Sequence, residues 1–433
     1  MKTRPPAERR QIRARISWCL YDWANSAFAT IILAAVLPVY FASLVPEEGA
    51  ALAGKINIPA TAFWGYSVAL SMLIVALVAA PLGALADRHG YRVRLLRLFC
   101  VCGSIATATL FMTGPGSYLL AAALFIIGNI SFAGGNIFYN ALLPTLVAPG
   151  EKDINRLSSY GFASGYLGGG LALLLVFILI QRGEWFGIGD PALAARIGFL
   201  LTGGWWLIFA LPCLLLIDEP PLRAQKKSHP GWHESFRQLR RYPDLLRFLL
   251  AFLLYNDGIQ TIIAVSAIFA REELGLSTGT ILGCFLMIQF VAMPGSLIFG
   301  KLATKIGSKW TIIFSLVIFT GIGCYAAVLR SATEFWILGF LVALVLGGSQ
   351  AISRSFFATM TPPGRQAEFF GFYAISSKFA SIFGPLIFAL IIDLSGSNRW
   401  AIFSLIGFFL VGGALLMTVN PQRATRALSD ARD

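Results

Sequence analysis

Four charged residues stand inside long apolar runs of this chain: Asp22, Asp257, Arg354 and Lys378. At the centre of a hydrocarbon-embedded helix each costs about 2.5 to 3.5 kcal/mol, so each must face a hydrated path or one another. Two acids and two bases can do two kinds of work there. An acid can hold an ammonium group or a proton while a base takes a carboxylate, which together amounts to recognition of a zwitterion. Alternatively the four can pair and part as a gate. The two uses are compatible, because an acid deprived of its partner in a dry place retains a proton, and this links gating to protonation.

Uncharged polar residues extend the same faces. Asn25 is three positions after Asp22, Gln260 three after Asp257, and Gln350 four before Arg354, while Asn129, Asn136 and Asn140 recur at helical spacing. Such a stripe lines a hydrated path or, more plainly, bonds one helix to the next.

The elements that must position these residues are membrane spans. Of the 433 residues, 57% are hydrophobic and 13% charged, against about a quarter charged in soluble domains, and the mean hydropathy is +0.73. At about 20 apolar residues per crossing, the sequence predicts twelve spans: 18–44, 61–86, 93–113, 117–146, 157–181, 194–217, 245–270, 278–300, 310–329, 334–361, 369–392 and 399–419. Their length is helical and lacks the ten-residue alternation of barrel strands. Counted from one end of their spans, the four charges lie on the order of 10 to 15 Å deep at 1.5 Å per residue.

Of the 34 Lys and Arg residues, 26 fall on the side of the N-terminus and 6 on the other, with Arg354 and Lys378 inside spans. That asymmetry predicts both termini in the cytoplasm. It also accounts for most of the +13 net charge without a nucleic-acid partner; lipid headgroups suffice. The first apolar run is too long for a cleaved signal and contains Asp22. The stretch 218–244, rich in charge and proline, separates six spans from six and reads as a linker. Its segment Trp232 to Tyr242 forms a short amphipathic helix on paper, with Trp232, Phe236 and Leu239 on one face. Six cysteines sit in or beside spans and read as reduced thiols. His229 and His233 are four apart, but Pro230 and Gly231 argue against a shared helix, so neither a metal nor a cofactor is expected. No His-Glu-x-x-His or Gly-x-Ser-x-Gly pattern supports a membrane enzyme.

One segment occurs twice. Gly83-Ala-Leu-Ala-Asp87-Arg88-His-Gly90-Tyr-Arg92 returns 217 positions later as Gly300-Lys-Leu-Ala-Thr304-Lys305-Ile-Gly307-Ser-Lys309, each copy between two apolar runs. The glycines permit tight turns and close helix approach. Asp87 can accept from backbone amides or a cation, and Arg88 and Arg92 can pair with acids or lipid phosphates. The segment resembles the signature loop of the major facilitator superfamily, between helices 2 and 3, with its copy between helices 8 and 9. Three further stretches, Tyr21-Asp-Trp-Ala-Asn-Ser-Ala-Phe28, Tyr255-Asn-Asp-Gly-Ile-Gln-Thr261 and Arg365-Gln-Ala-Glu-Phe-Phe-Gly-Phe-Tyr373, resemble the autophagy-related vacuolar amino-acid effluxer family and its bacterial relatives.

The resemblance implies an all-α membrane protein of the major facilitator fold, with 12 transmembrane helices in two six-helix bundles, 1–217 and 245–433, joined by 218–244. It implies a monomeric secondary transporter that moves a small polar solute, such as an amino acid, by alternating access with a coupling proton. Asp22, Asn25, Asn136, Asn140, Asp257, Gln260, Gln350, Arg354 and Lys378 are then the expected solute and proton residues. Gly83, Asp87, Arg88, Gly90, Arg92, Gly300, Lys305 and Gly307 are the expected gate, weakened in the second copy where Thr304 replaces the aspartate. A lipid flippase and a nutrient sensor on the same fold are the alternatives.

Overall fold

The computed structural model of the chain describes residues 5–52, 56–147, 151–220, 232–379 and 383–430. In chain order the helices are α1 (Pro6–Ala27), α2 (Leu37–Leu44), α3 (Ala60–His89), α4 (Arg92–Thr109), α5 (Tyr118–Leu142), α6 (Glu151–Gln181), α7 (Pro191–Leu216) and α8 (Trp232–Leu239). They continue with α9 (Pro243–Glu272), α10 (Thr278–Ile306), α11 (Ser308–Ala327), α12 (Ala332–Met360), α13 (Gln366–Phe379), α14 (Phe383–Ser395), α15 (Asn398–Met417) and α16 (Pro421–Asp430). Between α2 and α3 a small antiparallel hairpin pairs β1 (Ala50–Leu52) with β2 (Ile56–Ile58).

Among the described residues ten helices are long and apolar enough to cross a bilayer, and the stretch Pro6–Ala35 with α2, bent by 48°, makes an eleventh span. The expected span 369–392 appears as α13 and α14 on either side of 380–382, which lie outside the described residues. Also outside them are 221–231 of the expected linker, with His229, and Lys2, Arg4, Lys55, Arg223, Lys226, Lys227 and Arg432 of the basic count.

Three local features differ from the expectation. First, α1 starts at Pro6 and not near residue 18, because proline suits a first helical position and the Arg-rich turns that follow form helix readily. Second, the same span continues as a π-helix over Phe28–Ala35, with Val36 N–H reaching back to Ile31 O at 2.9 Å. The bend follows at Pro38, which has no N–H to continue the ladder. Third, the two glycine-framed segments are mostly helix. α3 runs to His89 before Gly90 turns at φ 69°, and α10 runs to Ile306 before Gly307 turns at φ 85°; this left-handed region favours glycine.

The chain packs as two units. Unit 1 contains residues 1–78, 91–139 and 164–219. In it α4 and α7 run antiparallel and cap each other: Arg97 Nε donates to Leu214 O at 2.6 Å and Arg196 Nη1 to Thr113 O at 3.5 Å. Unit 2 contains residues 79–90, 140–163 and 220–433, so helix ends from the first half of the sequence pack with the second half. There α11 and α15 make the same exchange. Lys309 Nζ donates to Met417 O and Val419 O at 2.7 and 2.8 Å, and Arg399 donates to Ala327 O and Leu329 O at 2.9 and 2.8 Å. Cations on C-terminal carbonyls satisfy groups the helix cannot. The third and sixth spans and the ninth and twelfth thus share one device, an internal duplication preserved in side-chain contacts.

Burial separates interior helices from lipid-facing ones. In α12 and α9, 67% and 61% of the most apolar stretch is buried, against 28% in α3 and α10. The outward faces carry Leu70, Leu73, Leu77 and Ile298, a surface that suits hydrocarbon and not water. α8 packs Ser235 and Leu239 inward while Trp232 and Phe236 stay partly exposed. Trp232 meets Phe372 edge-on at 6.0 Å and Tyr242 meets Phe369 at 5.7 Å, which seats α8 on the start of α13. A hydrogen bond from Gln238, together with Arg237, holds the Glu234 carboxyl below its usual range. At the other terminus, Asp244 receives Arg423 Nε and Nη2 at 2.5 Å and Asn420 N–H at 3.0 Å. That fastens α16 to the first turn of α9.

Candidate functional site

In unit 2 the end of α3 docks on the start of α13. Asp87 is buried, and its carboxylate accepts from Ala367 N–H at 3.1 Å and Glu368 N–H at 2.9 Å. A carboxylate from one helix therefore caps another, satisfying orphan amides and meeting the positive end of the dipole. The backbones touch as well. A methyl on Gly83 would collide with Ala367 O, and one on Gly371 would meet Ala79 O at 2.7 Å. Arg365 holds Glu368 in a two-bond pair at 2.6 and 2.9 Å, and Gln366 Oε1 accepts from Gly364 N–H at 2.9 Å. The Arg365 to Tyr373 stretch is thus the receptor for the first signature segment.

The second copy docks differently. A methyl on Gly300 would run into Ser159, with its Cβ at 2.6 Å, so α10 approaches α6 closely. Thr304, in the position of Asp87, turns its hydroxyl to Lys301 O at 2.7 Å on its own helix. Asn155 of α6 serves instead: its Nδ2 donates to Ser308 Oγ at 2.9 Å, and its Oδ1 accepts from Ser355 Oγ at 2.6 Å. Arg88 and Lys305 are exposed, and Arg92 is buried at the start of α4 in unit 1.

The buried charges fall in different settings. Asp22, half-buried, lies in unit 1 against Gly165, where a methyl would meet Asp22 O at 3.3 Å. In the same unit Asn25 donates to Asn136 Oδ1 at 2.7 Å and Asn129 to Ser71 Oγ at 2.8 Å, so part of the asparagine stripe bonds helices together. The other three charges belong to unit 2. Arg354 is 3% exposed. It donates from Nε to Ser158 Oγ at 2.9 Å, from Nη2 to Ser158 O at 2.8 Å and from Nη1 to Asn140 Oδ1 at 3.3 Å, with the Phe162 ring 4.2 Å from its guanidinium carbon. Lys378 is half-buried near the end of α13, and Gln350 and Gln260 are half-buried on α12 and α9.

Asp257 stands apart from the others. It is 0% exposed, and neither carboxylate oxygen closes a well-formed hydrogen bond with a described residue, the Gly384 backbone being the donor that approaches it. The Gly384 backbone at the start of α14 comes nearest, close enough that a methyl there would meet Oδ1 at 2.9 Å. Thr261 turns its hydroxyl to Asp257 O at 2.7 Å and Asn256 turns its amide to Ser377 O at 3.5 Å. A buried carboxylate lacking donors is costly unless something neutralises it. Among the described residues no three His, Cys, Asp or Glu side chains gather as a metal ion requires.

The structure therefore brings Arg354 to Asn140 and Asn25 to Asn136. It adds Asn155, Ser158, Ser308 and Ser355, which the sequence reading missed. The available signal was the polar spacing of Asn155, Ser158 and Ser159 at the start of α6, next in space to the second signature copy.

The chain is similar to known proteins along nearly its whole length. The family pattern described as "Vacuole effluxer Atg22 like" matches residues 10–429. The "Uncharacterized MFS-type transporter YxiO" of Bacillus subtilis (strain 168) is 35% identical over 426 residues, covering 96% of this chain and 97% of that protein. "Autophagy-related protein 22-1" of Penicillium rubens is 24% identical, covering 98% of this chain and 92% of its own. Among solved structures, the E. coli fucose:proton symporter FucP superposes with a TM-score of 0.73 at 12% identity, covering 95% of this chain and 98% of that one. The human organic anion transporter MFSD10 gives 0.70 at 17%, covering 95% and 100%. These two likenesses establish the major facilitator fold.

Proposed function

The chain belongs to the vacuole effluxer Atg22-like family of major facilitator transporters, and from that premise we propose that it carries a small zwitterionic solute, an amino acid or close relative, across the membrane by alternating access. The observation that carries this reading is Asp257. A fully buried carboxylate approached only by the Gly384 backbone among the described residues, with no well-formed hydrogen bond to either oxygen, takes either a proton or the ammonium of a solute, and exchange between the two couples solute to proton. Asn256 and Gln260 flank it on α9, and Lys378 supplies a cation for the solute's carboxylate. Gln350 extends this polar set within unit 2, while Asp22, Asn25 and Asn136 form a separate polar set within unit 1.

Segments 1–217 and 245–433 move as the two bundles about the linker 218–244. The protein works as a monomer in a bacterial plasma membrane with both termini cytoplasmic. The names of the relatives support transport and effluxer kinship, and FucP's name shows a proton-coupled member of the same fold. The test is uptake of radiolabelled L-amino acids into proteoliposomes under a pH gradient. Asp257→Asn is expected to abolish uphill accumulation while leaving exchange partly intact. Accumulation by this variant with unchanged pH dependence removes proton coupling at Asp257.

A further inference from the structure

Around Arg354, unit 2 contains a hydrogen-bond knot. α6 supplies Asn155, Ser158 and Phe162; α12 supplies Ala351, Arg354 and Ser355; α5 supplies Asn140 and α11 supplies Ser308. Asn155, Ser158, Ser308 and Ser355 are fully buried. Ser158 is used twice: its hydroxyl donates to Ala351 O at 2.7 Å while accepting from Arg354 Nε at 2.9 Å, and its carbonyl accepts from Nη2 at 2.8 Å. Two parallel N–H groups of one guanidinium are thus spent on one serine, a geometry an ammonium cannot reproduce. Phe162 covers the guanidinium at 4.2 Å and Asn140 takes Nη1 at 3.3 Å.

We propose that Arg354 is a gating residue that pins α6 to α12 at the end of the bundle bearing the signature segments, and is not a ligand of the solute's carboxylate. A solute carboxylate arriving at Arg354 would have to displace Ser158 and Asn140 from a buried guanidinium already covered by a ring. Separation of α6 from α12 breaks all of these contacts together and hydrates the arginine, which is well suited to an open state. The pin completes the second copy of the duplicated gate. The first copy uses the Asp87 carboxylate on α13, whereas the second, having Thr304 where the acid would stand, relies on Asn155, Ser158 and the Arg354 fork. The proposal rests on alternating access, but not on which solute is carried.

The experiment is hydrogen–deuterium exchange of the full-length protein in lipid nanodiscs without solute, so a wrong solute assignment leaves its outcome untouched. Arg354→Gln is expected to speed exchange in residues 151–163 about tenfold or more, the scale of one hydrogen bond to a charged group. Exchange in α4 and α7 and the melting temperature stay near wild type. Arg354→Lys should behave as Arg354→Gln does. Ser158→Ala, which removes the shared hydroxyl, should show the same local effect and serves if the arginine variants do not fold. Unchanged exchange in 151–163 overturns the proposal. So does acceleration spread evenly along the chain, which would make Arg354 a general prop of the fold, and so does full rescue by lysine, which would make its charge and not its fork the operative feature.

Discussion

Replacing Asp87 tests whether capping one helix from another holds one end of the bundle shut. The carboxylate receives two backbone donors, at 3.1 and 2.9 Å, in a buried setting. A hydrogen bond to a charged group contributes about 1.5 to 3 kcal/mol. Asp87→Asn keeps one acceptor, so it loses about one such bond and the charge; Asp87→Ala loses both. At about 1.4 kcal/mol per decade, Asn should shift the closed–open balance roughly ten- to a hundredfold, and Ala further. Nitroxide labels at the exposed His89 and Arg241, both in unit 2, report the balance by electron–electron distance measurement. Wild type should give one short-distance population, with a longer-distance population growing in the order wild type, Asn, Ala. If the distance distributions of all three coincide, the cap does not hold this end and the argument from Asp87 fails.

Gly83→Ala should open the same end without any change of charge, since its methyl collides with Ala367 O and would lie 2.7 Å from Glu368 Cα; a wild-type distance distribution in this variant would show that the backbones can part without cost to the latch. For the C-terminal fastening, Asp244→Ala should lower the melting temperature more than Arg423→Ala does, because Asp244 is buried and serves Asn420 and Arg423 together whereas Arg423 is half-exposed; the reverse order would mean that α16 is held by its apolar face. Both termini are expected in the cytoplasm from the 26 to 6 division of basic residues, and a C-terminal fusion reporter active only outside the cytoplasm overturns that orientation.

What the sequence made legible followed from patterns with a physical period or a repeat. Apolar runs of bilayer length have one backbone solution, so α3 to α7 and α9 to α12 could be read directly. The two glycine-framed segments announced both a duplication and a close approach, and Gly83 and Gly300 do sit where a methyl would collide with another helix. The partners were not legible. Ser158 lies 196 residues from Arg354, and a serine near a helix start carries no mark of its contact. The Arg365 to Tyr373 stretch was visible as a family likeness, but its work as the seat of Asp87 depends on backbone amides, which every residue possesses. The break at Phe28–Ala35 was hidden because a π-helix has the same apolar composition as the α-helix it replaces.

The divergence between the two copies follows from what each must hold. Asp87 faces bare amides at the first turn of α13, and a charged acceptor is the strongest single group for two such donors. Opposite the second copy Arg354 on α12 already supplies a charged donor to Ser158 of α6, so on the proposed gating reading an aspartate at position 304 is not needed there. In the proposed gate, one half carries its charge on the signature segment and the other carries it on the interior helix. This explains how Thr304 can replace an acid while the glycine beside it stays in place: the close approach at Gly300 to Ser159 is still required, whereas the carboxylate is not.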